Sequence, residues 1–528
     1  MFCIAIDIDP EKHEVQPFRL LREHLLPALE AHRPELEAMY APDIGRPETD
    51  PVRLMAVTVL QIMQRLPDRA CSSACRFDAR WHYALDQTIP YFHPTTLTHF
   101  RTRLTQNDKA RLALDACLQA MREAGYLKRC KAVRIDSTHL LADIARMSRL
   151  ECVRETLRLT LAFLAEFGGS AAWEPWHARY MEQNPGELRN ACAQRLATCM
   201  DAAGADIQDI LAKADTLGPA VAAAEPVALL RRVFNEQFEL RDNTLLQHPA
   251  APAGAVVNPH DTQAQWSTKN TLGKTGWQGY KAHVCETVHE EKRAPGEPTV
   301  CVITGLRVQP AIASDHGSIP DTLAQHTASA GTDQMPEEVL VDAGYTSAPA
   351  LLKAQHDGYE LTGPMPAPPY SGKRLGTDAF DIDLPNRAAR CPAGQASSEC
   401  SKIHDAQNGL RYYFAWPSSV CAACPLREKC LSQSSANAKH PRRGLDVGQH
   451  HALVQTRRQL CQTAAYKQRL KRRAAIEGTV SELVRGYGLR RCRYRGLARA
   501  QLQAHFTAAA CNLRRWAARL VWEARQTP

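Results

Sequence analysis

Two short β-branched runs, each carrying an aspartate, constrain this chain more than any other feature: KAVRIDSTHLL (131–141) and EEVLVDAGY (337–345). Runs of this length and composition, bounded by turn residues, form strands and not helices. The first is expected to end near Asp136 and the second at Asp342. The 528 residues between and around them exceed what one compact core holds, so several packed modules are expected. At 44% hydrophobic and 23% charged, those modules should be globular rather than disordered.

The remaining segments order themselves around the two strands. Residues 17–125 read as helices, with Leu114, Leu118 and Met121 on one face of the last. Residues 145–245 return to helical spacing, and 249–276 read as a long loop. GYKAHVCETV (279–288) and PTVCVITGLRVQP (298–310) suit an antiparallel pair. A helix near 317–329, with Asp315 as its cap, precedes the Asp342 strand. A helix at 347–356 and a strand at 359–362 follow. Residues 364–450 read as loop-rich, and 451–525 as helical. Without the two long blocks the order is β-β-β-α-β-α-β-α. That is the order of a ribonuclease-H-like mixed sheet, an α/β fold with an acid on its first and fourth strands.

Acids so placed suit metal-assisted phosphoryl transfer. Two hard divalent cations can be held by a few carboxylates together with substrate phosphate. A third acid should come from the closing helix. Glu477, in RRAAIEGTVSELVR, falls four residues after Arg473 and eight after Arg469, on one face of a continuous helix. The bland readings are a turn or cap for each aspartate and an intrahelical partner of Arg473 for Glu477. His139, near Asp136, reads as structural.

Charge and cysteine are unevenly spread. The net charge is +9, yet residues 439–528 hold 20 Lys+Arg against 4 Asp+Glu, leaving the rest at −7. A cationic end on a mildly acidic body fits a polyanion partner. GLRRCRYRGLARA sets Arg490, Arg491, Arg493 and Arg495 around Tyr494, a pattern for phosphate contact and stacking. Of the 18 cysteines, Cys391, Cys421, Cys424 and Cys430 form C-x29-C-x2-C-x5-C, a structural zinc pattern in which Cys400 competes as a ligand. Cys71, Cys75, Cys117 and Cys511 have helical settings and read as core. No run is apolar enough to span a membrane, and the first residues do not read as a signal peptide.

Several of these segments resemble the DDE transposases of bacterial insertion sequences, in the branch with a Tyr, Arg, Glu and Lys signature on its C-terminal helix. DPVRLMAVTVLQIMQRLPDRA and FHPTTLTHFRTRL resemble that group's N-terminal helices. RIDSTHL and VLVDAGYTS resemble its two aspartate motifs, and NPHDTQAQWSTK with GYKAHVCET the segment between them. The glutamate region, from YKQRLKRRAAIEGTVSELVRG onward, is the most specific match. Arg473 and Glu477 fit its spacing. Leu470 holds the Tyr position, with Tyr466 and Arg469 one turn earlier, and Val484 holds the Lys position, with Arg485 beside it.

The resemblance implies an acidic triad of Asp136, Asp342 and Glu477 with two Mg²⁺ or Mn²⁺ ions. It implies contacts to double-stranded DNA, transposon end and target, by Tyr466, Arg469, Arg473 and Arg485, to which Arg490, Arg491, Arg493 and Arg495 add the contacts read from their own pattern. It also implies a homodimer in the working complex and a bacterial cytoplasm, at the nucleoid. The expected modules are an N-terminal helical DNA-binding domain (1–127) and a catalytic core in two parts (128–144 and 251–365). A helical insertion (145–250), a cysteine-rich zinc insertion (366–450) and a C-terminal catalytic helix with a basic tail (451–528) complete them. Two alternatives remain open from sequence: a non-catalytic zinc-containing DNA-binding protein, and a host nuclease on the same fold.

Overall fold

The run from Pro51 folds as its apolar pattern predicts, into a helix Pro51–Gln64. Proline at its first position needs no amide partner, and the Asp50 carboxylate accepts from the Val52 and Arg53 amides. The computed structural model describes residues 12–41, 49–86, 92–182, 191–268, 276–289, 296–330, 335–368, 374–405 and 409–526. The extreme N-terminus and residues 269–275 of the sequence-predicted loop lie outside them. The chain forms two compact units. One comprises Met1–Cys130, Asp136–Gln334 and Ile476–Pro528, the other Lys131–Ile135 and Met335–Ala475.

In the first unit, strand β1 (Ala132–Leu141) contributes its residues from Asp136 onward. A hairpin of β2 (Phe238–Arg241) and β3 (Thr244–Gln247) closes the helical segment that follows it. β4 (Gln265–Thr268), β5 (Gly276–Val288) and β6 (Ile303–Pro310) come next, and β5 pairs antiparallel with both β4 and β6 and is hydrogen-bonded to β1. β4 lies inside the stretch expected to be loop. Its four residues are too short a signal without the partner strand beside them. Gly279 permits the approach of β5 to β1, since a Cβ there would stand 2.0 Å from the Leu140 carbonyl oxygen.

The helices before residue 127, expected to form a domain of their own, share one hydrophobic core with β5 and β6 and with the C-terminal helix Leu497–Gln526. Residues from Ala500 to Ala517 of that helix are almost all buried. Much of the expected basic tail is therefore core. The helical segment after β1 builds a second core of its own, from Leu150 and Val153 through Trp173 and Ile207 to Phe238.

In the second unit, the first residues of β1 pair in parallel with β7 (Glu338–Leu340), and β7 in parallel with β8 (Glu360–Thr362). Ser347 caps the helix Ala348–His356 between them. The cysteine-rich region is not the loop-rich block expected. It holds a hairpin of β9 (Asp381–Asp383) and β10 (Ala388–Arg390), and an antiparallel sheet of β11 (Glu399–Asp405), β12 (Gly409–Ala415) and β13 (Gly444–Gly448). Phe380, Phe414, Trp416, Leu445 and Val447 make its core.

Two further expectations need correction. β1 runs past Asp136 to Leu141, because the Leu141 amide donates to the Arg490 carbonyl (2.8 Å) and its carbonyl accepts from the Cys492 amide (2.8 Å). That partner lies some 350 positions away and leaves no local trace. The continuous helix expected over 469–477 is broken: Ala464–Leu470 gives way to a 3₁₀ turn, Lys471–Arg473, before the helix Ile476–Tyr487 begins. The four-residue spacing therefore does not put Arg469, Arg473 and Glu477 on one helical face.

Candidate functional site

The three predicted acids occupy distinct positions. Asp136 is half-buried in the middle of β1, with the Ser137 amide donating to its Oδ1 at 2.7 Å. Asp342, half-buried, follows β7 by two residues and accepts from the Gly344 amide (2.8 Å). Glu477 is exposed in the first turn of the helix Ile476–Tyr487, where a negative charge is favoured by the helix dipole. Asp136 and Glu477 belong to the first unit and Asp342 to the second. Asp315 does not cap a helix with its side chain; its carboxylate pairs with Lys281 at 2.8 Å.

Several residues expected to contact DNA do other work. Tyr466 is buried, donates to the Gly363 carbonyl (3.0 Å), and accepts from the Gly363 amide and from Arg457. It fastens the chain beyond β8, and burial raises the pKa of its hydroxyl. Arg469 pairs with Glu338 on β7 and Glu360 on β8, and Arg472 joins it at Glu338 (2.8 Å). Around Tyr494, Arg490 donates to the His139 carbonyl (2.8 Å), Arg493 to that of Leu66 (2.6 Å) and Arg495 to that of Asp143 (3.0 Å). Burial lowers the pKa of Arg490. Tyr494 stacks under the Arg101 guanidinium, 4.7 Å from the ring centre, so its face is already covered.

Arg485, Arg491 and Arg495 are exposed, with exposed Arg65 beside Arg485. Arg65 donates to the Arg485 carbonyl at 3.2 Å and lies 3.6 Å from the position a Cβ would take on Gly488. This exposed set follows directly on the helix that carries Glu477. Arg473 is half-buried in the 3₁₀ turn before it.

In the second unit, Cys391, Cys421, Cys424 and Cys430 line one cavity of about 30 Å³, with Trp416, Leu431 and Arg443. Cys400 sits on β11 opposite Phe414 and is not among its lining residues. Burial pushes the Cys430 thiol pKa up, and the other three thiols add to the shift. Among the described residues, the set of three potential ligands with all donor atoms within 4.8 Å is Glu174, His177 and Glu182 in the helical segment.

The NPHD motif has a role that sequence reasoning left unassigned. Asn258 is buried and donates to the Ala145 carbonyl (3.0 Å). Asp261 accepts from the Tyr280 hydroxyl and from the Gly496 amide (3.1 Å), while Gln263 accepts from the Leu497 amide (2.8 Å). The motif thus holds the end of the arginine-bearing loop to β5. Burial and the Asp261 carboxylate raise the Tyr280 hydroxyl pKa. Asn258, Asp261 and Gln263 close together in a loop-like sequence were the available signal.

Comparison with known families gives two matches. Residues 390–517 match a transposase DDE domain, and residues 6–103 match the transposase domain DUF772. The first spans the four cysteines and Glu477. The second spans much of the N-terminal helical region. No curated protein matches the chain. No helix among the described residues is long and apolar enough to cross a membrane. In these two stretches, one toward each end of its sequence, the chain is similar to transposases, and in the later one to their DDE domain.

Proposed function

We propose that this chain is a DDE transposase that binds the terminal repeats of its element and cleaves DNA there, then joins the freed 3′-hydroxyl to target DNA. Asp136, Asp342 and Glu477 are the acids that hold its divalent metal. The observation that carries this reading is the register of β1 and β7. Arg134 pairs with Leu340, and each is followed two residues later by an aspartate. Parallel strands in a mixed sheet with helices support a ribonuclease-H-like core.

The donor set is all carboxylate, which suits Mg²⁺ or Mn²⁺. Two such ions would supply activation of the attacking oxygen and stabilisation of the leaving one. The protein's own part is positioning. β1 and the chain after β7 fix the aspartates through the Ser137 and Gly344 amides. Exposed Arg65, Arg485 and Arg491 offer phosphate contacts, which position DNA without reading its sequence. The working complex is a dimer that holds two ends, and a structural zinc sits on Cys391, Cys421, Cys424 and Cys430.

The test is nicking of a labelled DNA fragment bearing the repeats, in Mg²⁺ or Mn²⁺. Asp136→Asn, Asp342→Asn and Glu477→Gln should each abolish cleavage and keep repeat binding. Cleavage at the parent rate by any of them would falsify the assignment of that acid. Equal cutting of random DNA would favour a general nuclease.

A further inference from the structure

The helix that presents Glu477 is short, and its apolar anchoring is thin. It spans Ile476–Tyr487, and its buried side chains are those of Ile476, Thr479, Leu483 and Tyr487. Before it the chain leaves helical geometry at residues 474–475. Apolar burial is non-directional, so such a seam sets the depth of a helix better than its rotation. Directional restraint comes from one buried polar cluster on the same helix face.

Arg515, on the C-terminal helix, is the centre of that cluster. Its side chain is 7% exposed, and that of its partner Glu286 on β5 is fully buried. Arg515 Nε donates to Glu482 Oε2 at 3.0 Å. Nη2 donates to the same oxygen (2.8 Å) and to Thr479 Oγ1 (2.7 Å). Nη1 donates to Glu286 Oε2 (3.2 Å) and to the Cys301 carbonyl (3.0 Å). These contacts match the five N–H donors of a guanidinium. Thr479 in turn donates to Glu286 (2.7 Å), and the Cys511 thiol donates to the other Glu482 oxygen (3.3 Å).

Two of the acceptors, Thr479 and Glu482, lie two and five residues after Glu477. Burial opposes the charge on Arg515, but Cys511, Glu286 and Glu482 outweigh it and raise its pKa, so the guanidinium stays charged. Replacing a buried ion pair by apolar packing is often neutral or stabilising. The fork of paired donors adds a directional restraint on the helix beyond that of its few apolar contacts.

We propose that Arg515, backed by Glu286, is the positioning residue that sets the rotation of this helix and so aims the Glu477 carboxylate at the metal. The proposal rests on the reading of Glu477 as the third acid. It names Thr479 and Glu482 as the points through which Arg515 acts.

The test uses the full chain with a repeat-bearing DNA end, and reads Mn²⁺ binding from the free-ion EPR signal. Circular dichroism and DNA-end binding are followed alongside. Thr479→Val is close to isosteric and removes the hydroxyl, while Thr479→Ser keeps it. Glu482→Gln removes the charge. Thr479→Val and Glu482→Gln should fold, bind the DNA end as the parent does, and need about tenfold more Mn²⁺ for half-saturation, the usual scale for a support of a metal ligand. Thr479→Ser should bind Mn²⁺ as the parent does. Arg515→Lys, which keeps the charge but loses the fork, should resemble Glu482→Gln. Parent-like Mn²⁺ affinity in Thr479→Val and Glu482→Gln, beside a loss in Glu477→Gln, overturns the proposal and leaves the acid reading standing. Parent-like affinity in Glu477→Gln overturns that reading, and the proposal with it.

Discussion

Three histidines of the first unit are buried in neutral form, and they give the fold a pH dependence. Burial pushes the pKa of His283 and of His326 down to about 4, and that of His505 to about 3, from an ordinary 6.5. His326 shares a hydrogen bond with the Thr304 hydroxyl (2.8 Å), and His505 lies 2.7 Å from the Gln501 amide nitrogen. Between pH 6.5 and about 4 the unfolded chain binds protons on these rings that the folded chain does not. Their contribution is complete above pH 6.5 and is lost as pH falls through that window. Each histidine adds a slope of up to about 1.4 kcal/mol per pH unit. Denaturant midpoints should therefore fall between pH 7 and pH 5, and His326→Gln should flatten the trend. A flat parent profile over that range would rule the effect out. At this scale the strands that carry Asp136 and lead to Asp342 were legible, because each is a short segment of marked pattern. The partners of Tyr466, Arg469, Arg490, Arg493 and Arg495 were not. An arginine that meets a remote carbonyl looks the same in sequence as one that meets a phosphate.

The N-terminus of the helix Leu497–Gln526 is capped from elsewhere in the chain. Its first amides would lack intrahelical partners. Asp261 accepts from Gly496 N (3.1 Å) and Gln263 from Leu497 N (2.8 Å), and the Tyr280 hydroxyl shares Gly496 N at 3.0 Å. Gly496 adopts φ +88°, so a side chain there would be strained. Asp261→Ala should cost about 1–2 kcal/mol, the range of a lost N-cap, and more if Tyr280 is left unpaired. Thermal melting reads the loss, and hydrogen exchange should quicken at residues 496–500. Unchanged protection there would refute the capping role. Helices and strands with strong local periodicity, such as Pro51–Gln64, β5 and β6, could be read directly from sequence. The extension of β1 to Leu141 and the short β4 could not, since each exists through a partner remote in the chain or too brief to show a period. The break at 471–475 was hidden for the opposite reason. Its residues, Lys, Arg and Ala, all favour a helix, and tertiary pairing of Arg469 and Arg472 with Glu338 accompanies the interruption.

At the scale of the whole molecule, the cores differ greatly in size, and that difference bears on the cysteine-rich module. The first unit is built on an extensive core from Phe18 to Ala517, with a second cluster in the helical insertion. The module of β9 to β13 rests on Phe380, Ala389, Phe414, Trp416, Leu445 and Val447, against which Cys391, Cys400, Cys421 and Cys430 pack partly buried. A core this small is marginal alone, and natural domains of that size add a metal or a disulfide. Cys391, Cys400, Cys421, Cys424 and Cys430 are all free thiols. The cavity of about 30 Å³ lined by Cys391, Cys421, Cys424 and Cys430 has room for one ion, and thiolate ligands suit Zn²⁺ with Zn–S near ~2.3 Å. Because such binding energy is also folding energy, loss of metal should open this module before the large core. Purified protein should carry about one equivalent of zinc through this site, and Cys424→Ser should lose it. Under a strong chelator, limited proteolysis should cut within residues 374–448 while the far larger core from Phe18 to Ala517 stays resistant. A preparation with no zinc, whose residues 374–448 are equally protected with and without chelator, would show that the small core and its thiols hold the module unaided.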